Sequence, residues 1–247
     1  MGALHALQGA AILLLAKPDK GIQAVHTTYL TVKDASQLNT GKMPDLIQAQ
    51  HHLFNVHIAY LIAAFFFMSA LAHLFISTIY RKKYESDLKK GINKVRWFEY
   101  AVSASTMMVA IGLLSGVWDL APLAMFFMLT MIMNLMGLMM EVHNQTTEKT
   151  SWLSFNIGAL AGIVPWVVIG LYFWGSNHYG LGHIPTFVYW IYVSLFVFFN
   201  CFAINMILQY KKVGKWSNYL YGEKVYIVLS LVAKSLLAWQ VFAGALN

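Results

Sequence analysis

The last apolar stretch of the chain, Tyr221 to Leu246, holds a single full charge in its interior, Lys234. A lysine at mid-membrane depth costs at least about 2.5–3.5 kcal/mol on insertion scales, so it must be neutralised, solvated or modified. Snorkelling cannot serve, because thirteen residues separate Lys234 from Tyr221, and at ~1.5 Å per residue that is far beyond the reach of a four-carbon stem. The amine is placed for chemistry. Of the ten acidic residues, only Glu99, in the third apolar run, and Glu141, near the end of the fourth, lie away from loops and their edges. Glu99 is the expected counter-charge. The third and seventh runs cross in the same direction, and helical side chains lean toward the N-terminus, so Lys234 reaches back toward Glu99. Measured from residues 117 and 245, Glu99 lies about 27 Å deep and Lys234 about 17 Å, at ~1.5 Å per residue. The lysine stem and a modest tilt can close that gap. The competing reading makes Glu99, three residues after Arg96, an interfacial carboxylate.

Two hydroxyls sit one turn from these charges, Ser103 from Glu99 and Ser230 from Lys234, at the spacing that shares a helix face. Each alone would be an ordinary packing serine; the matched spacing adds weight. A second polar set is His5 and Gln8 in the first run, His73 toward the end of the second, and Glu141. These belong to the same half of the bundle as Glu99 and would form a proton-accepting or water-holding cavity. Interhelical hydrogen bonds without proton traffic are the alternative. No cysteine or carboxylate accompanies the histidines at ligand spacing, so no metal site is expected. The fifth and sixth runs are crowded with aromatics, Trp166 among them. At mid-depth Phe199 beside Asn200, with Met107 and Met133 on neighbouring runs, could line a slot for a long flat apolar ligand or simply pack.

The elements that must position these groups follow from composition. At 247 residues, with 59% apolar and 11% charged residues and a mean hydropathy of +0.58, the chain is too hydrophobic for a soluble domain. The net charge of +7 comes from lysines and arginines clustered in short loops, the pattern of a topology signal and not of nucleic-acid binding. One cysteine, Cys201, excludes an intrachain disulfide. Seven apolar runs, at about 1–16, 50–80, 97–117, 120–142, 152–175, 184–209 and 221–245, predict a single seven-helix transmembrane domain over 1–247. The first run is short, and a signal peptide is its alternative reading, but it lacks a basic leading region and a convincing cleavage site. Between it and the second run, Lys17 to Asp45 is the longest polar stretch. Its β-branched segment Gln23 to Val32 predicts a small extramembrane hairpin.

Loop charge sets orientation. Arg81 to Arg96 carries seven basic residues against Glu85 and Asp87, and the last connection carries Lys211, Lys212, Lys215 and Lys224 against Glu223. The opposite loops, around Trp118 and from Gly175 to His183, have no lysine or arginine. By the positive-inside rule the N-terminus is cytoplasmic, the C-terminus extracellular, and the long first loop with its hairpin is outside.

A seven-helix chain with a lysine buried in the last helix and a carboxylate in the third resembles the microbial rhodopsins, and its details resemble the heliorhodopsins. The resemblance rests on the N-inside orientation, Arg96-Trp-Phe-Glu99-Tyr100-Ala-Val-Ser103, Ser230 where pumps usually carry a second aspartate, His5-Ala-Leu-Gln8-Gly, His73, Glu141 and Phe199-Asn200. It covers essentially the whole chain. It implies all-trans retinal held covalently on Lys234 as a Schiff base, with Glu99 as counterion. It also implies a pocket including Tyr100, Met107, Met133, Trp166, Phe199 and Asn200, photoisomerisation to 13-cis, a slow photocycle and a homodimer in lipid. One departure is a first helix that starts at Met1 and is short at its inner end, which bears on how His5 is held.

Three functions compete. A light sensor, with no enzymatic activity and with a cytoplasmic signalling partner at the basic loops, leads. A light-driven ion pump or channel is the second. It would need carboxylates on both sides of the lysine, whereas the third run after Glu99 offers Ser103, Ser105 and Thr106 and no acid before Asp119. The external half of each run is expected to lack an internal Asp, Glu or His. A chromophore-free transporter coupling Lys234 to Glu99 is the third. It would be expected to show broken helices in two related halves, and no such symmetry is found.

Overall fold

The computed structural model describes residues 1–39, 41, 43–180 and 184–247. Seven apolar helices form the bundle: α1 (Gly2–Leu15), α2 (Ile58–Ser77), α4 (Lys94–Leu114), α5 (Leu120–His143), α6 (Leu153–Tyr179), α7 (Thr186–Tyr210) and α8 (Tyr219–Val241). A short polar helix, α3 (Arg81–Lys89), lies between α2 and α4. Six of the seven are long and apolar enough to cross a membrane, and α1 is shorter. Their outward faces carry Leu7, Leu71, Met125, Leu160, Leu171 and Trp190, all largely exposed. Such faces have only lipid to bury them, and the chain is an integral multi-pass membrane protein.

Local chemistry sets the helix ends. Asn93 caps α4 by accepting from the Arg96 amide at 3.1 Å, Asp119 caps α5 through the Ala121 amide at 2.9 Å, and Asn218 caps α8 through the Leu220 amide at 3.0 Å. Each satisfies an amide that a helix start leaves unpaired. α4 therefore begins three residues before its predicted start. It ends at Leu114 because Gly116 turns the chain with φ +90°, a left-handed conformation that glycine adopts without penalty. α6 runs on to Tyr179 and takes in His178, which stacks on Trp174 at 5.5 Å. A histidine thus lies inside a helix at the hairpin end of the bundle, contrary to the expectation that this half would hold none. Of the connection after α6, residues 181–183 lie outside those described.

The hairpin forms, but with a different second strand from the one the polar stretch implied. β1 (Ile22–Val32) pairs antiparallel with β2 (Leu46–His57), from Ile22 opposite His57 to Val32 opposite Leu46, with an irregularity at Val25/His26. Residues 50–57, predicted as the start of the second helix, are therefore strand. The run Leu53-Phe-Asn-Val reads as apolar in either conformation, and its pairing with β1 decides. The hairpin rests on the bundle where the His26 amide bonds the Trp118 carbonyl at 2.9 Å and Val25 is buried.

Around the bundle α1 packs on α2, α2 on α4, α4 on α5, α5 on α6 and α7 on α8. Between α6 and α7 large rings fill the space, Trp166 meeting Tyr192, Phe196 and Phe199 at 5.2–5.6 Å. Close approaches on the α5 side depend on glycine: a Cβ at Gly137 would stand 2.3 Å from the Trp97 ring.

Candidate functional site

Lys234 projects from the middle of α8 into the bundle and is 2% exposed. Its Nζ lies 2.6 Å from Glu99 Oε1. The two depths expected from sequence are reconciled, because the lysine side chain reaches the carboxylate. The amine also donates to Ser69 Oγ, and Ser69 Oγ in turn lies 2.6 Å from Glu99 Oε1. Ser69 is on α2, where one helical turn separates it from His73. It closes a three-membered polar ring with the ion pair. Bonds of this kind, with an ionised partner, are roughly twice as strong as neutral ones, and they offset the cost of taking two charges out of water. Tyr100, next to Glu99, sets its ring 5.6 Å from Lys234 Nζ and donates its hydroxyl to the Tyr226 carbonyl at 2.9 Å. Ser103 and Ser230, expected beside the pair, are both buried there, and both line the space next to Lys234.

Two cavities meet at this centre. The larger, about 840 Å³ including its mouth, extends from Lys234 between α4, α5, α6 and α7. It is walled by Trp97, Tyr100, Met107, Met133, Phe155, Phe199, Phe202 and Met206, with Gly137, Gly158 and Ala159 keeping it open. Of the predicted pocket residues, Tyr100, Met107, Met133 and Phe199 are in this wall. Trp166 stands behind it, buried against Phe199. Asn200 does not face it: the side chain is exposed and bonds the Phe196 carbonyl of its own helix at 2.8 Å. Consecutive helical residues are about 100° apart, so Phe199 and Asn200 cannot share one face.

The smaller cavity, about 530 Å³, lies on the α3 side of the pair and is lined by Ser69, His73, Tyr84, Asn93, Arg96, Glu99 and Ser230 among others. His5 stacks on His73 at 5.8 Å and is 1% exposed. α1 therefore reaches far enough to hold His5 despite its short inner end. Gln8 and Glu141, grouped with these histidines from sequence, are placed elsewhere. Gln8 accepts from Trp239 Nε1 at 3.2 Å, farther along α8. Glu141 belongs to a second buried ion cluster, where it bonds Arg96 Nη2, the Asn93 amide at 2.9 Å and the Tyr219 hydroxyl at 3.2 Å. Glu223, read from sequence as a loop charge, completes that cluster: its Oε2 lies 2.6 Å from Asn93 Nδ2 and 3.1 Å from Arg96 Nε. Position in a basic loop hid Arg96 and Glu223, because nothing local distinguishes a charge that turns inward across helix ends from one that faces water.

A family model for heliorhodopsins matches residues 1–246. The chain belongs to the heliorhodopsin family. Comparison with curated proteins gives no match. Membership makes it a retinal-binding, light-sensing membrane protein of the microbial-rhodopsin type, a photoreceptor class and not a known enzyme class. The residues present fit retinal. The wall of the larger cavity is mostly aromatic and aliphatic, and the one charged group on it is Lys234, an amine that can form an imine with an aldehyde.

Proposed function

We propose that the chain is a photoreceptor that carries all-trans retinal on Lys234, with Glu99 as counterion, and that it signals instead of moving ions. The observation that carries this reading is the Lys234–Glu99 pair standing between an apolar cavity on one side and a polar cavity on the other. When bound through an imine to Lys234 Nζ, retinal supplies visible absorption and light-driven isomerisation. Glu99 sets the negative charge at that nitrogen, and Ser69 fixes the carboxylate oxygen that faces it. Tyr100 and Trp97 wall the slot, and the apolar residues beyond them exclude water from its length.

The signalling reading is supported by where the polar groups go. With the basic loops cytoplasmic, His5, His73 and the Arg96 cluster are all on the cytoplasmic side of Lys234, so a proton leaving the centre has a place to wait and return on that side. The basic segment around α3 would then be the face a cytoplasmic partner meets, and a lipid-embedded homodimer its setting. The deciding experiment is an absorption spectrum of the chain expressed with all-trans retinal, beside Lys234→Ala. A visible band in the wild type that vanishes in the variant is expected. No wild-type band would favour a chromophore-free transporter, and a band surviving in the variant would move the linkage to another group. A sustained photocurrent, or a light-driven pH change abolished by a protonophore, would replace signalling by transport.

A further inference from the structure

We propose that Arg96, Glu141 and Glu223 form a proton-binding site, separate from the Lys234 centre, which holds one proton between its two carboxyl groups. The cluster joins the first turn of α4 and the second turn of α8 to the last turn of α5, and its three residues Arg96, Glu141 and Glu223 are 5%, 1% and 3% exposed. One guanidinium serves both acids: Arg96 Nη2 bonds Glu141 Oε1 and lies 2.9 Å from Glu223 Oε1. With both acids ionised, the cluster would keep one uncompensated negative charge out of water, and buried sites escape that cost by binding a proton.

The neighbours do not supply the missing charge. Tyr84 of α3, Tyr210 of α7 and Tyr219 and Tyr226 of α8 face the cluster as titratable groups, and Trp97 and Tyr226 cover the guanidinium at 4.1 and 3.9 Å. None is a base. Among the described residues no lysine or histidine pairs with either acid. The N-termini of α4 and α8 each bring about half a positive charge and the C-terminus of α5 returns about half a negative one, so the deficit is reduced and not removed.

A second observation is that the hydrogen bonding of the two acids is incomplete. Of the four carboxyl oxygens, three accept directed hydrogen bonds, from Arg96 and Tyr219, from the Asn93 amide, and from Asn93 and Arg96. The fourth, Glu223 Oε1, is buried without one, although Arg96 Nη2 is close. Glu223 Oε1 is thus the one carboxyl oxygen of the cluster left without a directed hydrogen bond, as expected where the bonding groups present do not satisfy two carboxylates at once. The site sits at one end of the polar cavity whose other end is Glu99, since Asn93 and Arg96 line the same space. Loss of its proton would set two carboxylates against one guanidinium and loosen the junction of α4, α5 and α8. This reading needs no chromophore.

The test is infrared spectroscopy of the purified full chain, without retinal, exchanged between neutral and alkaline buffer in H2O and D2O. The expected result is a protonated-carboxyl carbonyl stretch at neutral pH that shifts in D2O, disappears in alkali and is absent from Glu223→Gln. Glutamine reproduces the neutral acid, so that variant should fold. Thermal melts add a second measure. If the folded chain holds a proton that the unfolded chain releases, the folding equilibrium constant falls about tenfold per pH unit until the site deprotonates. Glu223→Gln should flatten that dependence. The proposal is overturned by a wild type with no such band, or by a band that persists in both Glu223→Gln and Glu141→Gln. Failure of both variants to fold also overturns it, because one acid is held to be neutral already. So does saturable stabilisation by sodium or potassium chloride that Glu223→Gln abolishes, which would make the occupant a metal cation.

Discussion

Ser69→Ala tests the centre most directly, because it removes one oxygen and leaves both charges. In the structure that oxygen accepts from Lys234 Nζ and lies 2.6 Å from Glu99 Oε1 and 3.1 Å from the Phe65 carbonyl of its own helix. A hydroxyl has one hydrogen to give, and the ionised acceptor at the shorter distance takes it. Each bond to a charged group is worth about 1.5–3 kcal/mol. Two are lost, but Ser69 also lines the polar cavity, from which water can replace part of both. The expected net loss is about 2 kcal/mol, equivalent to a fall of about 4–8 °C in melting temperature for a chain of this size. The control is Ser105→Ala. Ser105 is buried, and its hydroxyl makes the same kind of bond to the carbonyl four residues back, Ala101 at 2.6 Å, with no charge nearby in its bonding. Its loss should be no more than about 1 kcal/mol. Melts of the two variants in one detergent, with and without retinal, give the comparison. Equal losses would show that Ser69 is only another helix-bonded serine, and an unshifted visible maximum in Ser69→Ala with retinal would show that it does not touch the chromophore centre.

Other outcomes follow from the same geometry. Glu99→Gln should move the visible band to longer wavelength or replace it by a near-ultraviolet species, seen in an absorption titration; an unchanged spectrum would transfer the counterion role elsewhere. Gly137→Ala should destabilise the chain by about 1–3 kcal/mol through overpacking and weaken retinal uptake, measured by melts and by regeneration kinetics, since the Trp97 ring has to move into the cavity it lines. Asn93→Ala should cost more than the ~0.5–2 kcal/mol of a lost cap, because the same side chain also bonds Glu223. Hydrogen bonds from Thr28 and the Ala121 amide hold the exposed Asp119 carboxyl below its usual range. Its contribution is therefore present above that range and lost as pH falls through the lowered value, and Asp119→Asn should flatten the acid side of a melting-temperature profile.

The sequence by itself determined the architecture and the central pair. Apolar runs of spanning length have one stable solution in lipid, helices that satisfy their own backbone. One interior lysine and few carboxylates in the apolar runs made Lys234 and Glu99 the expected pair, although depth alone left Glu99 open to an interfacial reading, and the packed bundle brings the two together. What tertiary structure decided was everything that depends on rotation and on charges at helix ends. Ser69 could be seen only as one serine among many until α2 turned it toward the pair. Phe199 and Asn200 are adjacent in sequence, yet only Phe199 faces the cavity. Glu141 left the histidines for Arg96, and Glu223 turned inward from a loop whose net charge says nothing of direction. Residues 50–57 became strand because β1 was there to pair with them. The physical reason is common to all of these: hydrophobicity fixes how deep a residue lies, whereas its partner is chosen by helix rotation and by hydrogen bonds of a few ångströms, which only the packed bundle specifies.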